Sequence, residues 1–201
     1  MAGTKQFLTF SQQVEYLKSE KEIAVSDDQF AEEILQRIGY FALMGGYKEL
    51  FRIPFTKKYK TGTSFDEIVA LYQFDAELRE LFLKYLLQIE RHIGNLIAHY
   101  FVEAHGISQA EYMNPNNYNN SSRNRKIITG LLRKLHGAVT TTDYSHVNYY
   151  RTKYGNIPLW ITTNVLTFGS LSKMYNVLEQ SLRSKICRHF SNVNQRQLER
   201  F

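Results

Sequence analysis

An all-α fold, a helical bundle built around one long central helix, is predicted by three features of the sequence. Apolar residues recur at helical spacing over long stretches, above all between Glu77 and Phe101. The 201 residues include only three prolines, and a proline inside a helix removes a backbone hydrogen bond. No run alternates apolar and polar residues between hairpin turns, as half-buried strands do.

Composition limits the kind of protein this is. Hydrophobic residues make up 43% and charged residues 22%, which excludes general disorder. The net charge is +6, and positive charge is concentrated after residue 115, where only Asp143 and Glu179 are acidic up to His189. The basic C-terminal half is therefore the candidate surface for a polyanion.

Some classes of protein are excluded by what the sequence lacks. A single cysteine, Cys187, excludes an internal disulfide and a cysteine-based zinc site. There is no apolar segment typical of a signal peptide or long enough to span a membrane. We expect a soluble cytoplasmic protein without a cofactor and without membrane association.

The N-terminal part contains two predicted helices. Thr9 or Ser11 caps the first, whose apolar side is Val14 and Leu17. The second begins at Asp27–Asp28 and is expected to end at Gly45–Gly46. Residues 47–63, interrupted by Pro54 and Gly62, are predicted to be irregular.

The central helix has a clear start and end. Ser64 and Glu67 form a capping-box pattern at its start, and Gly106 is a typical residue just past a helix end. The pattern between them predicts one helix of about forty residues, or two with a break near Asp75.

The C-terminal part is predicted to be helical after an asparagine-rich loop, residues 113–124. Ser121 or Ser122 is expected to cap a basic helix over residues 123–139, and a short helix covers residues 146–156. A long pattern follows Pro158, with a possible break at Phe168–Gly169. Its predicted buried set is Leu171, Met174, Leu178, Leu182 and Ile186.

The expected organisation is one domain over residues 1–201, with an N-terminal helical part (1–62) and a bundle (63–201). The sequence stops at Phe201 within a helical pattern, so we expect the natural chain to continue.

The central helix carries an unusual polar stripe. Gln88, His92, Asn95 and His99 share one face, because their spacing returns them to the same side at about 100° per residue. Gly94 lies between them in mid-helix, where glycine costs about 1 kcal/mol relative to alanine. Lysine and glutamate would suit an ordinary wet face better.

Two imidazoles and two amides suit acid–base chemistry on RNA. Histidine shuttles protons near neutral pH, and RNA supplies its own nucleophile in the 2′-OH. Metal binding is disfavoured, because His92 and His99 are about 10.5 Å apart along the helix. From residue types alone, an alternative is favoured in which His92, Asn95 and His99 satisfy one another inside a bundle.

Segments spread over nearly the whole chain resemble the Abi-like family of bacterial abortive-infection proteins, of the AbiF and AbiD type. They are FLTFSQQVEYLKS, FAEEILQRIGYF, TSFDEIVALYQFDAELRELFLKYLLQIER, MNPNNYN and IPLWITTNVLTFGSLSKMYNVL. This family resembles the HEPN helical ribonucleases, so the resemblance implies a HEPN-like bundle. It also implies a metal-independent endoribonuclease whose site is composed from two motifs, usually in a dimer.

The HEPN motif, R-N-x-x-x-H, falls on residues 94–99. Asn95 and His99 match as the orienting group and the general acid or base, and Glu90 matches the acidic residue that often precedes the motif. The motif arginine is missing, because position 94 is glycine. Arg91 is too early to be more than an imperfect substitute.

Three interpretations of Gly94 are open. It is a natural departure that leaves a dead or binding-only protein, or a substitution that made a toxic nuclease producible, or the arginine comes from elsewhere. Arg183, with His189, is the candidate for the last. The substitution is favoured, since the sequence offers no structural reason for a mid-helix glycine.

RNA is the expected partner, both as substrate and as a small non-coding regulator, and a homodimer is expected. The residues expected to contact RNA are Arg91, His92, Arg123, Arg125, Lys126, Arg133 and Lys134. Tyr144, Tyr149, Tyr150 and Tyr154 either stack bases or simply pack. The alternative functions are a non-catalytic RNA-binding module of a defence or toxin–antitoxin system and, with least support, a protein scaffold.

Overall fold

The all-α prediction is confirmed. The computed structural model describes residues 6–141 and 143–190, and these form ten α-helices with short 3₁₀ and π-helical turns. Within those ranges the β-type pairings that occur outside strands are the isolated bridges Ala24–Ser64 and Arg52–Tyr59. The chain divides into two compact units, residues 1–83 and 84–201.

Helix α1 (Phe10–Ser19) opens the first unit. Of the two predicted caps, Thr9 is the one used: its side chain accepts a hydrogen bond from the Gln12 amide, and Gln12 returns one to the Thr9 backbone. This reciprocal capping satisfies two amides that the helix leaves without partners. Val14 and Leu17 are buried, as predicted.

Helix α2 (Asp28–Ile38) is shorter than predicted. It starts after Asp27, whose side chain accepts from the Phe30 amide, but it ends at Gly39 rather than at Gly45–Gly46. Gly39 has a φ of +86°, which glycine adopts without steric cost. A π-helical turn (Phe41–Gly45) and α3 (Gly46–Phe51) follow, so part of the segment predicted to be irregular is helical.

The core of the first unit is formed by apolar side chains from α1, α2, the turn after them and the start of the central helix. Its buried members are Val14, Leu17, Ile23, Ala31, Ile34, Leu35, Leu43, Met44, Tyr59, Phe65, Ile68 and Val69.

The central helix, α4 (Phe65–His105), is one unbroken element of 41 residues. The predicted capping box is present: the Ser64 amide donates to Glu67 (3.1 Å), and the Glu67 amide donates to the Ser64 hydroxyl (3.2 Å). Gly106 ends the helix with a φ of +97°. The alternative of a break near Asp75 is therefore wrong.

The remaining helices belong to the second unit. They are α5 (Gln109–Met113), α6 (Arg125–Thr140), α7 (Ser145–Tyr154), α8 (Leu159–Thr162), α9 (Phe168–Val177) and α10 (Gln180–Cys187). The long pattern after Pro158 is thus three helices, interrupted at residues 163–167 and again where Leu178 and Glu179 are extended.

The basic helix α6 starts later than predicted and without a serine cap. Asn124 is its N-cap residue, with no capping side-chain bond. The Ser121 carbonyl accepts from the amides of Asn124 and Arg125, which closes a turn ahead of the helix. The serines therefore shape the approach to the helix rather than its first turn.

The core of the second unit packs the C-terminal part of α4 against α6, α9 and α10. All five predicted apolar residues of the C-terminal pattern are buried. Tyr112 is buried with them and donates a hydrogen bond to the Ile157 carbonyl (2.7 Å). Desolvation raises the pKa of Tyr112 to about 12, so its hydroxyl stays protonated. No helix among the described residues is both long and apolar enough to cross a membrane.

Candidate functional site

The polar stripe of α4 faces solvent. Gln88, His92, Asn95 and His99 are all exposed, whereas Ile93, Ile97, Ala98 and Phe101, on the opposite side of the helix, are buried. The side chains of Asn95 and His99 make no hydrogen bond with any residue that the structure describes. The alternative in which these groups satisfy one another inside a bundle is therefore wrong.

Gly94 lies on the packed side of the helix. It is buried, and a Cβ atom there would lie 3.5 Å from Leu171 Cδ1 and 3.8 Å from Thr163 Cβ. Those are ordinary van der Waals distances, so alanine fits. An arginine side chain would start against α9 and would have to extend along packed surface to reach solvent.

The other two charged residues near the motif differ in exposure. Glu90, one turn before Gly94, is half-buried. Arg91 is exposed, and its Nε donates to the Leu87 carbonyl of the same helix (3.3 Å).

Helix α10 and the turn after it bring further polar groups to α4. The Tyr100 hydroxyl and His189 Nε2 share a hydrogen bond of 2.6 Å, and Lys185 forms an ion pair of 2.6 Å with Glu103. The Phe190 ring lies 5.1 Å from the His92 ring, centroid to centroid. A third imidazole and an ammonium group thus lie beside the polar stripe.

His99 is linked to this group through Tyr100. The two rings meet edge to face at 5.1 Å, and the Tyr100 ring also lies 5.7 Å from the His189 ring. The pKa of Glu103 is lowered, chiefly by the hydrogen bond from Lys185 and further by the charges of Lys185 and His99. His99 meets Tyr100 only by a ring contact, so the hydrogen bond within this group of three is the one between Tyr100 and His189.

A stripe of apolar residues lies on one side of the N-terminal half of α4. Its residues are spaced three and four apart along the helix: Leu71, Phe74, Leu78, Leu81 and Tyr85. Phe74, Leu81 and Tyr85 are exposed, and Leu71 and Leu78 are half-buried. This spacing is the one that lets two helices pack along a common seam.

Helix α6 presents the predicted basic residues. Arg123, Arg125, Lys126 and Arg133 are exposed, and Lys134 reaches across to donate to the Ser170 hydroxyl of α9 (3.2 Å). The sequence has no acidic residue between Glu111 and Asp143, so no carboxylate within this stretch neutralises the positive charge of α6.

Comparison with known proteins assigns the chain to a family. The family model described as Abi-like protein matches residues 33–201, most of the chain. The chain belongs to the Abi-like family. No curated protein and no solved structure matches it.

In this Abi-like protein, sequence reasoning missed Tyr100, Glu103 and Lys185. They join the site through contacts between α4 and α10, which are separated by about eighty residues of sequence, and no spacing pattern reveals such contacts. The sequence predicts a role for His189, but as the histidine of an Arg–His pair with Arg183.

Arg183 is half-buried, and its guanidinium donates to the Gln180 side chain (2.7 Å). It therefore lies in its own helix's hydrogen-bond network, whereas His189 contacts α4. Among the described residues no three histidine, cysteine, aspartate or glutamate side chains are placed to share a metal ion.

Proposed function

We propose that this Abi-like protein acts in abortive infection, against phage, as a HEPN-type ribonuclease that cleaves RNA without a metal ion and is impaired by Gly94. Membership of the family supports the abortive-infection role. One observation carries the enzymatic part. Asn95 and His99, the two matching residues of the motif, lie on the exposed face of α4 with side chains free to meet a substrate.

The chemistry needs only proton transfer and charge stabilisation. His99 would take the proton of an RNA 2′-OH as its oxygen attacks the adjacent phosphorus, while water or the second copy's His99 donates a proton to the departing 5′-oxygen; with His99 as the acid, these two roles are exchanged. The P–O5′ bond breaks, leaving a 2′,3′-cyclic phosphate and a 5′-hydroxyl. Asn95 would orient a phosphate oxygen, and Glu90 would hold its neighbours in place from the half-buried side of the helix.

A weak or absent rate is expected for the chain as it stands. The transition state carries extra negative charge on phosphorus oxygens, and an arginine at position 94 would offset it. Glycine offers no charge there, and Lys185 is engaged by Glu103.

We also propose a homodimer. The apolar stripe on the exposed face of α4 would pack against its copy, since a contiguous exposed apolar surface of this kind commonly marks an interface. A composite HEPN site would also require a dimer, because it needs two copies of Asn95 and His99 near each other.

RNA would be held by positive charge beside the motif and on α6. Arg91 and His92 flank the motif, and Arg123, Arg125, Lys126, Arg133 and Lys134 would contact phosphates. A small non-coding RNA would bind the same surface as a regulator.

A second candidate is a non-catalytic RNA-binding module. The packing of Gly94 against α9 favours it, because a buried glycine with close neighbours suits a position that has no arginine. Under this alternative the basic surface is kept and cleavage is absent.

The toxicity of Gly94→Arg in bacterial cells tests the enzymatic proposal. We expect Gly94→Arg to arrest growth and the double variant Gly94→Arg/His99→Ala not to. Gly94→Gln, of similar length but uncharged, and Gly94→Ala are matched controls and should remain harmless.

The folded state of each variant is checked by circular dichroism, because an arginine at a buried position can fail to fold. If Gly94→Arg does not fold, the toxicity of the parent chain is compared with that of His99→Ala, both at high expression. A folded Gly94→Arg no more toxic than Gly94→Gln, or toxicity that survives His99→Ala, would contradict the proposal.

A further inference from the structure

Helix α7 carries an exposed aromatic cluster that the proposed chemistry does not use. Tyr144, Tyr149 and Tyr154 are 59%, 48% and 56% exposed, respectively, although tyrosine rings in a small protein are commonly packed. Tyr150 is half-buried against the core of the second unit. Tyr150 contacts the rings of Tyr149 and Tyr154 at 5.6 and 5.4 Å, and Tyr144 stacks on His146 at 5.7 Å. Tyr149 and Tyr154 thus pack partly against Tyr150, and about half of each residue's surface remains exposed.

A cation holds two of these rings together. The Lys153 ammonium lies 5.0 Å from the centroid of Tyr149 and 5.3 Å from that of Tyr154, and it donates to the Tyr149 hydroxyl (2.7 Å). The Tyr149 and Tyr154 rings meet edge to face at 6.0 Å. Interactions of this kind reduce the freedom of exposed rings, so binding to them costs less entropy.

The sequence that follows Tyr144 is positively charged. The sequence contains no acidic residue between Asp143 and Glu179. Arg151 ties α7 to the basic helix α6, since its Nε donates to the Val139 carbonyl (2.8 Å). Helix α7 thus contacts the C-terminal end of α6, which is nearer to Arg133 than to Arg125, about 20 Å away along the helix.

We propose that Tyr149 and Tyr154 form a stacking surface for unpaired bases, so that the ligand of this protein is single-stranded rather than duplex RNA. The inference rests on the proposed RNA binding and adds the class of substrate. Open aromatic faces beside backbone-binding cations are the combination that single-stranded nucleic acids use, because every base offers a π-face. A duplex keeps its bases stacked inside and contacts such rings poorly.

The charge around the rings argues against a protein partner at this surface. An ordinary protein interface is depleted of charge at its centre. Here Lys153 lies within the cluster itself, between two rings, where it would meet the phosphate of a stacked nucleotide.

The test is RNA binding by the full chain carrying Tyr149→Leu and Tyr154→Leu together. The probes are a fluorescent, unstructured RNA strand and the same strand annealed to its complement. We expect the parent to prefer the single strand. The double variant should lose about tenfold or more in affinity for the single strand, as expected for at least one lost stacked base, and little for the duplex.

Two control proteins make the comparison specific. Tyr149→Phe/Tyr154→Phe keeps both rings and should bind the single strand within about threefold of the parent, since stacking uses the faces of the rings and not their hydroxyls. Phe7→Leu removes an exposed ring (84%) far along the sequence and should not alter binding. Quenching of 2-aminopurine placed in the strand, lost in the leucine variant, would report stacking directly.

The outcomes separate this inference from the proposed function. Parent-like single-strand binding by the folded leucine variant would overturn the stacking surface and leave RNA binding standing. Tighter binding of the parent to the duplex than to the single strand would also overturn the stacking surface and leave RNA binding standing. Failure of the parent to bind either RNA at low salt would overturn both. If the leucine variant changes only the protein's oligomeric mass, the surface is a protein interface and the inference is wrong.

Discussion

Among single residues, Gly94 has the largest effect on the proposed activity, because it occupies the position of the motif arginine. It is buried in mid-helix, and a Cβ atom there would meet Leu171 and Thr163 at ordinary contact distances. We therefore expect Gly94→Ala to stabilise the protein by roughly 0.5–1 kcal/mol, because alanine has the better helix propensity and fits the space. Urea unfolding of the two proteins measures the difference. Destabilisation would show that the helix packs more tightly at this position than these distances indicate.

The ion pair between Lys185 and Glu103 gives a second residue-scale prediction. The pKa of Glu103 is lowered in the folded protein, mainly by the Lys185 hydrogen bond, so the pair stabilises above the ordinary glutamate pKa and is lost as pH falls through the lowered value. Lys185→Ala should raise the pKa of Glu103 toward its ordinary value. The gain in stability is small because both side chains are exposed.

Carboxyl NMR titration of Glu103 measures that change. Lys173→Ala, which removes an exposed lysine from α9, is the control and should leave the Glu103 titration where it is. An unchanged pKa in Lys185→Ala would mean that α10 does not hold Lys185 against α4 in solution.

The sequence predicted some site residues and not others. Helical spacing alone places His92, Asn95 and His99 on one face, since all three lie on the same helix. Whether that face is wet or buried depends on what packs beside it. Tyr100 and His189 come together only because α10 lies along α4, and local spacing carries no information about that contact.

At the scale of elements, the capping box at Ser64 starts the longest helix. Ser64→Ala should destabilise the protein by about 0.5–2 kcal/mol, because it removes the acceptor for the Glu67 amide. Chemical denaturation measures the loss. Ser64→Asp keeps an acceptor and should stay close to the parent. Equal losses in both variants would show that the serine contributes by something other than capping.

Element boundaries were the least predictable part of the fold. Helix α2 ends at Gly39 because the backbone takes a positive φ there, yet Gly45 and Gly46, which looked like the better stop, remain helical. A glycine permits a stop without requiring one, and the packing of Leu43 and Met44 in the core keeps the following turn helical. The existence of α4, by contrast, follows from forty residues of consistent pattern.

At the scale of the whole molecule, the exposed apolar stripe of α4 predicts self-association. Leu81→Glu places a charge within the stripe, and we expect it to shift the protein toward monomer. Gln73→Glu adds the same charge at an exposed polar position of the same helix, outside the stripe, and serves as the control. Light scattering after gel filtration measures the mass. A parent that is monomeric at every accessible concentration would contradict the dimer.

The candidate site residues all lie in one part of the chain. Glu90, Asn95, His99 and the basic residues of α6 all belong to the second unit, residues 84–201. The family model begins earlier, at residue 33, so the match extends into the first unit as well. The sequence supplied the family and the motif positions, whereas the surfaces available to RNA followed only from the packing of the helices.

Incubation of purified Gly94→Arg with RNA in the presence of a metal chelator tests whether the protein is a metal-independent ribonuclease. Single-stranded RNA is the substrate, and the product ends are identified by their phosphates. We predict cleavage to 2′,3′-cyclic phosphate and 5′-hydroxyl ends, abolished by His99→Ala and absent with Gly94→Gln. A folded Gly94→Arg that leaves RNA intact, or cleaves it equally well after His99→Ala, would contradict the account.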